Sequence, residues 1–101
     1  MNGIRFGWNQ AKNLANQRKH GVNFEEASQV FWDPLHLAVA DRVVDDEQSW
    51  QTLGSSRRTA GDLILLLVAR TVREDLEEGL FIESIRIISA RRATLEERTK
   101  L

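Results

Sequence analysis

Eight residues past the middle of the chain, Leu63 to Arg70, read Leu-Ile-Leu-Leu-Leu-Val-Ala-Arg. A run this apolar suits a central strand covered on both faces. It is far too short to span a bilayer. A central strand needs neighbours, and the flanking sequence offers them. Leu37 to Val44 alternates loosely and leads into an acidic turn, Asp45-Asp46-Glu47. Ser49 to Ser55 follows, with Trp50 and Thr52 on one face and Gln51 and Leu53 on the other. Arg57 to Asp62, which contains Gly61, reads as a hairpin loop. Arg73 to Gly79 reads as an acidic connection that could include a helical turn, and Leu80 to Ser89 as the last strand.

The first third has a different pattern. Ile4 to Trp8 fits a short strand with Ile4, Phe6 and Trp8 on one face. Asn9 is a good N-cap for a helix that runs to about His20, and Gly21 fits the left-handed position that ends it. Spacings of three and four residues put Ala11, Leu14, Ala15 and the stem of Arg18 on an inner stripe. They put Asn9, Lys12, Asn16, Lys19 and His20 on a polar face. Asn23 and Glu26 form a capping box for a second helix, with Val22 and Ala27 as its hydrophobic staple. Phe24, Ala27, Val30 and Phe31 supply its buried stripe, and Pro34 stops it near Trp32. Thr94 and Glu97 cap a short terminal helix. The expected fold is α+β: a mainly antiparallel sheet, two N-terminal helices on one face, and a short C-terminal helix. Residues 1–101 form a single domain in this reading, without repeat or linker.

Composition excludes several classes. Hydrophobic residues make up 42% and charged residues 29%, which is globular rather than disordered. Without cysteine, neither a disulfide nor a thiolate site can form, which is compatible with a reducing cytoplasm. No signal-peptide pattern opens the chain. A phosphate-binding glycine loop, a Gly-x-Ser-x-Gly turn and a His-Glu-x-x-His pair are missing too. The only histidines are His20 and His36, and the acidic cluster at residues 45–47 is most simply a solvated bend, so no metal and no cofactor are expected.

The net charge is only −1, but the charges are segregated. Residues 1–20 hold four bases and no acid; residues 25–50 hold seven acids and one base. Residues 71–83 hold five acids and one base; residues 84–101 hold five bases and two acids. If folding brings the basic ends together, one face can steer a polyanion.

The C-terminal block supplies candidate chemistry. In Glu83 to Thr94, Arg86 alternates with Ile85 and Ile87, so a strand would hold its guanidinium in a fixed direction. Arg91 and Arg92 follow. Arginine offers planar paired donors to phosphate and keeps its charge. Taken alone, such a cluster is more often an edge strand with solvated arginines. Lys19-His20 is the best acid–base pair, although His20 could equally close a helix, where its cation suits the dipole. His36 has no obvious partners, and Trp8 and Trp50 are either stacking surfaces or core.

These motifs resemble a known family. Trp8-x-x-x-Lys12-x-x-x-Asn16-x-x-Lys19-His20-Gly21-Val22-x-Phe24-Glu25 is similar to the opening of the BrnT family. Phe31-x-Asp33-Pro34 matches in the middle, as do the acidic turn before Trp50 and Leu53-Gly54-x-Ser56. Arg86-Ile87-Ile88-Ser89-Ala90-Arg91-Arg92-Ala93-Thr94 with Glu97-Arg98 matches near the end. The chain departs at Asn9, where an Asp usually follows the Trp, at Asn13, a usual Ala, and at Leu101, where an aromatic often ends the motif.

The resemblance implies a RelE-like fold and a ribonuclease toxin of a type II toxin–antitoxin system. It implies a cytoplasmic bacterial protein, neutralised in a hetero-oligomer by a BrnA-like antitoxin with a ribbon-helix-helix module. DNA would be reached only through that complex, and a membrane not at all. Metal-free RNA cleavage needs the 2′-hydroxyl deprotonated, the phosphorane charge stabilised and the leaving oxygen protonated. The expected catalytic set is Lys19 and His20 for proton transfer with Arg86 and Arg91 at the phosphate. Lys12, Asn16, Arg57 and Arg92 are expected to bind RNA. The alternative is a non-catalytic module that binds RNA or protein on the same basic face, including a degenerate toxin that only binds its antitoxin.

Overall fold

The computed structural model describes residues 2–58 and 61–99. Its elements are β1 (Asn2–Gly7), α1 (Gln10–His20), α2 (Phe24–Ser28), a 3₁₀ turn (Gln29–Trp32), β2 (Leu37–Val44), β3 (Glu47–Arg57), β4 (Leu63–Glu77), β5 (Leu80–Arg92) and α3 (Leu95–Arg98). The five strands form one sheet in the order β1-β5-β4-β3-β2. The β2–β3, β3–β4 and β4–β5 pairs are antiparallel, while β1 lies parallel to β5, so the sheet is mixed. The fold class is α+β, as the segregation of helices and strands implied.

One face of the sheet carries the core. Val22, Phe24, Ala27 and Val30 from the helical layer pack on Ile64, Leu66 and Val68 of β4 and on Ile85, Ile87 and Ala90 of β5. Burying a side chain such as Phe24 contributes about 1.5–3 kcal/mol. Leu65, Leu67 and Ala69 alternate onto the other face and are only half-buried. The central strand is therefore covered fully on one face, not on both.

Three local expectations need correction. First, the inner stripe of α1 is Asn13 and Asn16, both buried, while Leu14 is 44% exposed and Ala11 and Ala15 face solvent. Strand β1 pairs with β5 only as far as Gly7 and Arg86, which leaves the edge of β5 open beyond that point. α1 lies there, and its Asn16 amide completes the edge. The Asn16 Nδ2 donates to the carbonyls of Ala90 and Val22, both at 2.8 Å, and its Oδ1 accepts the Ala90 N–H at 3.1 Å. Asn13 Oδ1 accepts the Phe24 N–H at 2.8 Å. A buried strand edge costs heavily when unpaired, so polar side chains are the residues that can sit there.

Second, the second helix ends at Ser28 and tightens into the 3₁₀ turn before Pro34. That turn presses on β3: a Cβ on Gly54 would lie 2.7 Å from Val30 Cγ1 and 3.2 Å from the Val30 carbonyl oxygen. Third, residues 73–77 are strand. β4 continues to Glu77 and turns through Glu78 and Gly79, whose φ values of 50° and 80° mark a two-residue type I′ hairpin. The turn at Asp45 and Asp46 has the same signature, with φ of 50° and 63°. The hairpin loop expected at residues 57–62 begins after β3 and includes positions 59–60, which lie outside the described residues, as does Leu101.

Candidate functional site

Arg86 sits on β5 between Ile85 and Ile87, which are 5% and 1% exposed. Alternation aims its guanidinium away from the core, beside Thr71 of β4. Where β1 ends and α1 begins, the chain brings Lys12 to the same place. Lys12 and Arg86 both line a cleft of about 800 Å³, together with Trp8, Arg5 and Arg73. The two basic ends of the sequence therefore meet through Lys12 and Arg86. Neither cation makes an ion pair among the described residues.

The other two arginines of the cleft are engaged. Arg5 makes a two-pronged contact with Glu77 at 2.8 and 3.2 Å, which raises the pKa of Arg5 and lowers that of Glu77. Arg73 lies 3.2 Å from Glu47. Asp45, Glu47 and Asp75 also line the cleft, so it combines carboxylates with two cations that are unpaired among the described residues. Trp8 is held from behind by an edge-on contact with Phe24, at 6.1 Å between ring centroids. One part of this aromatic serves the core and another lines the cleft.

The remaining expected site residues stand elsewhere. Asn16 is buried and its amide is committed to backbone groups, so it belongs to the scaffold and not to an exposed polar face. Arg91 grips Glu97 of α3 at 2.8 and 2.9 Å. The pairing raises the pKa of Arg91 and holds the Glu97 carboxyl at about 2. Arg57 donates to the Gly61 carbonyl at 2.7 Å. Lys19, His20 and Arg92 do not line the cleft. Lys19 and His20 end α1 one turn beyond Asn16, and Arg92 lies two residues beyond Ala90, so these three extend the basic surface past the cleft. His36 closes the loop before β2, its Nδ1 2.7 Å from the Asp33 carbonyl oxygen.

Sequence reasoning missed Arg70. It is half-buried on the helical face, its guanidinium carbon 5.2 Å from the Phe31 ring centroid and 5.6 Å from that of Trp50. Its Nε donates to Thr52 Oγ1 at 3.1 Å. Burial lowers its pKa, and Glu83 works against that. Its position at the end of an apolar run was the available signal, since a charge there must find rings or a counter-ion.

Residues 8–97 match the family model described as ribonuclease toxin, BrnT, of type II toxin-antitoxin system. The chain belongs to the BrnT family. The match spans both Lys12 and Arg86 and reaches from Trp8 at the cleft to Glu97 on α3. No curated protein matches the chain. Membership of the BrnT family makes this a ribonuclease toxin of a type II system, with RNA as substrate and an antitoxin as partner. No helix among the described residues is long and apolar enough to cross a membrane.

Proposed function

We propose that this protein is a metal-independent endoribonuclease whose chemistry lies in the cleft holding Arg86 and Lys12. The observation that carries this reading is the convergence of two cations unpaired among the described residues, one on a strand and one on a helix, in a cleft lined by an aromatic. Buried isoleucines on both sides fix the direction in which Arg86 leaves the strand, toward the cleft, where its guanidinium stabilises the phosphorane charge. Lys12 adds a second positive charge, so the cleft supplies the stabilisation that a metal would otherwise bring. The carboxylates that line the cleft are Asp45, Glu47 and Asp75, of which Glu47 is engaged by Arg73. Lys19, His20 and Arg92 continue the basic surface along α1 and β5 and hold the RNA backbone beyond the scissile bond. The α+β architecture supports a RelE-like reading of the fold, with residues 1–101 acting as one domain. The partner is a BrnA-like antitoxin carrying a ribbon-helix-helix module, and the complex acts in the bacterial cytoplasm.

A second reading is favoured by one observation: neither histidine lines the cleft. A binding module, or a toxin retained only for its antitoxin, would need no proton-transfer group there. RNA cleavage in excess EDTA separates the readings. The wild type should cleave, and Arg86→Ala should lose about a hundredfold or more in rate while still binding RNA. Arg86→Lys should recover little, since an ammonium cannot reproduce the paired planar contact. Thermal unfolding serves as the folding control. Activity abolished by EDTA, or Arg86→Ala cleaving at the wild-type rate, would overturn this assignment.

A further inference from the structure

On the helical face of the sheet, past the end of the helical layer, a groove of about 610 Å³ with both apolar and acidic lining is left open. Its walls are Trp32, Ile4 and Phe81, which are 64%, 41% and 58% exposed. Leu76, paired with Phe81 across the β4–β5 ribbon, is 65% exposed beside it. Glu74 and Glu83 form the rim. They stand directly opposite each other on neighbouring strands, an arrangement of like charges that costs stability. Neither makes an ion pair among the described residues. Arg70 is on the same face and attracts Glu83 across it, but its guanidinium is held over Phe31 and Trp50 and makes no ion pair among the described residues.

We infer that this groove is the docking site for a segment of the antitoxin that carries apolar side chains flanked by lysine or arginine. The inference rests on the reading of the chain as a toxin with an antitoxin partner. Charge selects the occupant. An acidic rim repels RNA, and a second copy of this chain would bring the same glutamates against themselves. A basic, apolar peptide segment fills the groove and neutralises the Glu74–Glu83 pair at once. Alternation places Arg86 on the other face of β5, so the groove lies apart from the RNA cleft.

The test co-expresses the toxin with the protein encoded in the adjacent reading frame and measures affinity by calorimetry, beside RNA cleavage and thermal unfolding of the free toxin. Glu83→Lys should weaken binding about tenfold or more. Glu74→Lys should weaken binding to the same extent, and it should raise the melting temperature, because it removes the like-charge pair and keeps the attraction of Glu83 for Arg70. Phe81→Ala should weaken binding about tenfold or more through loss of an anchor. All three should cleave RNA as the wild type does. If the wild type binds and the three variants bind equally well, the groove assignment is overturned and the toxin reading stands. If the wild type cleaves RNA but binds no such protein, the groove assignment again falls alone. If the wild type neither cleaves nor binds, both fall together.

Discussion

Asn16 shows how a single residue can carry the join between two layers. Its amide stands in for a neighbouring strand, pairing with both backbone groups of Ala90 and with the Val22 carbonyl. Replacement by Leu leaves three buried backbone groups without partners and should cost about 2–4 kcal/mol. Asn16→Asp should cost more. The carboxylate still accepts the Ala90 N–H but sets its charge against two carbonyl oxygens, having no hydrogen to offer them. Urea unfolding of both variants checks the order. An Asp variant as stable as the wild type would show that the amide is dispensable. The sequence placed Asn16 on a solvated face because a polar side chain at helical spacing ordinarily points outward. That rule assumes the inner surface is apolar, and here the inner surface is an open strand edge. Arg86 was legible for the opposite reason: buried isoleucines on either side fix a strand residue's direction without reference to the rest of the fold.

At the scale of elements, α1 and β2 were readable to their ends because caps and alternation are local signals. Asn9 accepts the Lys12 N–H, and Gly21 sits at φ 69°. The far half of β4 was not readable. Residues 73–77 are rich in acids, which are depleted in strands. Here the β4–β5 ribbon runs beyond the helical layer, so charged residues meet water on the exposed parts of both faces. The terminal element α3 was legible through its capping box, and its tie to β5 gives a pH prediction. Glu97 is held at about 2 from an ordinary 4.5, first by hydrogen bonds from Arg91 and then by the Thr94 N–H. Its folded pKa is depressed, so the stabilisation is complete above about pH 4.5 and is lost as the pH falls toward 2. With Arg91 40% exposed on its side chain, solvent screening reduces the effect to roughly 1 kcal/mol. Glu97→Gln should therefore unfold at a lower temperature near pH 6 and lose part of the acid dependence between pH 4.5 and 2, measured by thermal melts. Some dependence should remain, because Asp33 is also depressed, first by the Ser55 N–H and then by the Leu35 N–H. A variant with the full wild-type acid dependence would show that the Arg91–Glu97 pair is not formed in solution.

For the whole molecule, the topology brings the two basic ends of the chain together beside the acidic ribbon. The net charge of −1 conceals this. β1 runs parallel to the first half of β5, as far as Arg86, and α1 follows beside its basic second half, where Asn16 meets Ala90. The acidic ribbon projects at the other end of β5. A protein built this way should bind RNA with an affinity set by a few phosphate contacts and not by total charge. The affinity for a 2′-O-methyl RNA strand, which cannot be cleaved at its 2′ positions, should fall linearly with the logarithm of salt concentration. For single strands the slope is about −0.7 per phosphate neutralised. Arg86→Ala and Lys12→Ala should each make the slope shallower by about 0.7, since each removes one free cation from the cleft. Arg91→Ala should leave the slope unchanged, because the Arg91 charge is already spent on Glu97, and should lower the melting temperature instead. Fluorescence anisotropy across a salt series distinguishes the three. If Arg91→Ala flattens the slope while Arg86→Ala does not, RNA lies along the α3 end of β5, and the cleft beside β1 is not where the phosphate is held.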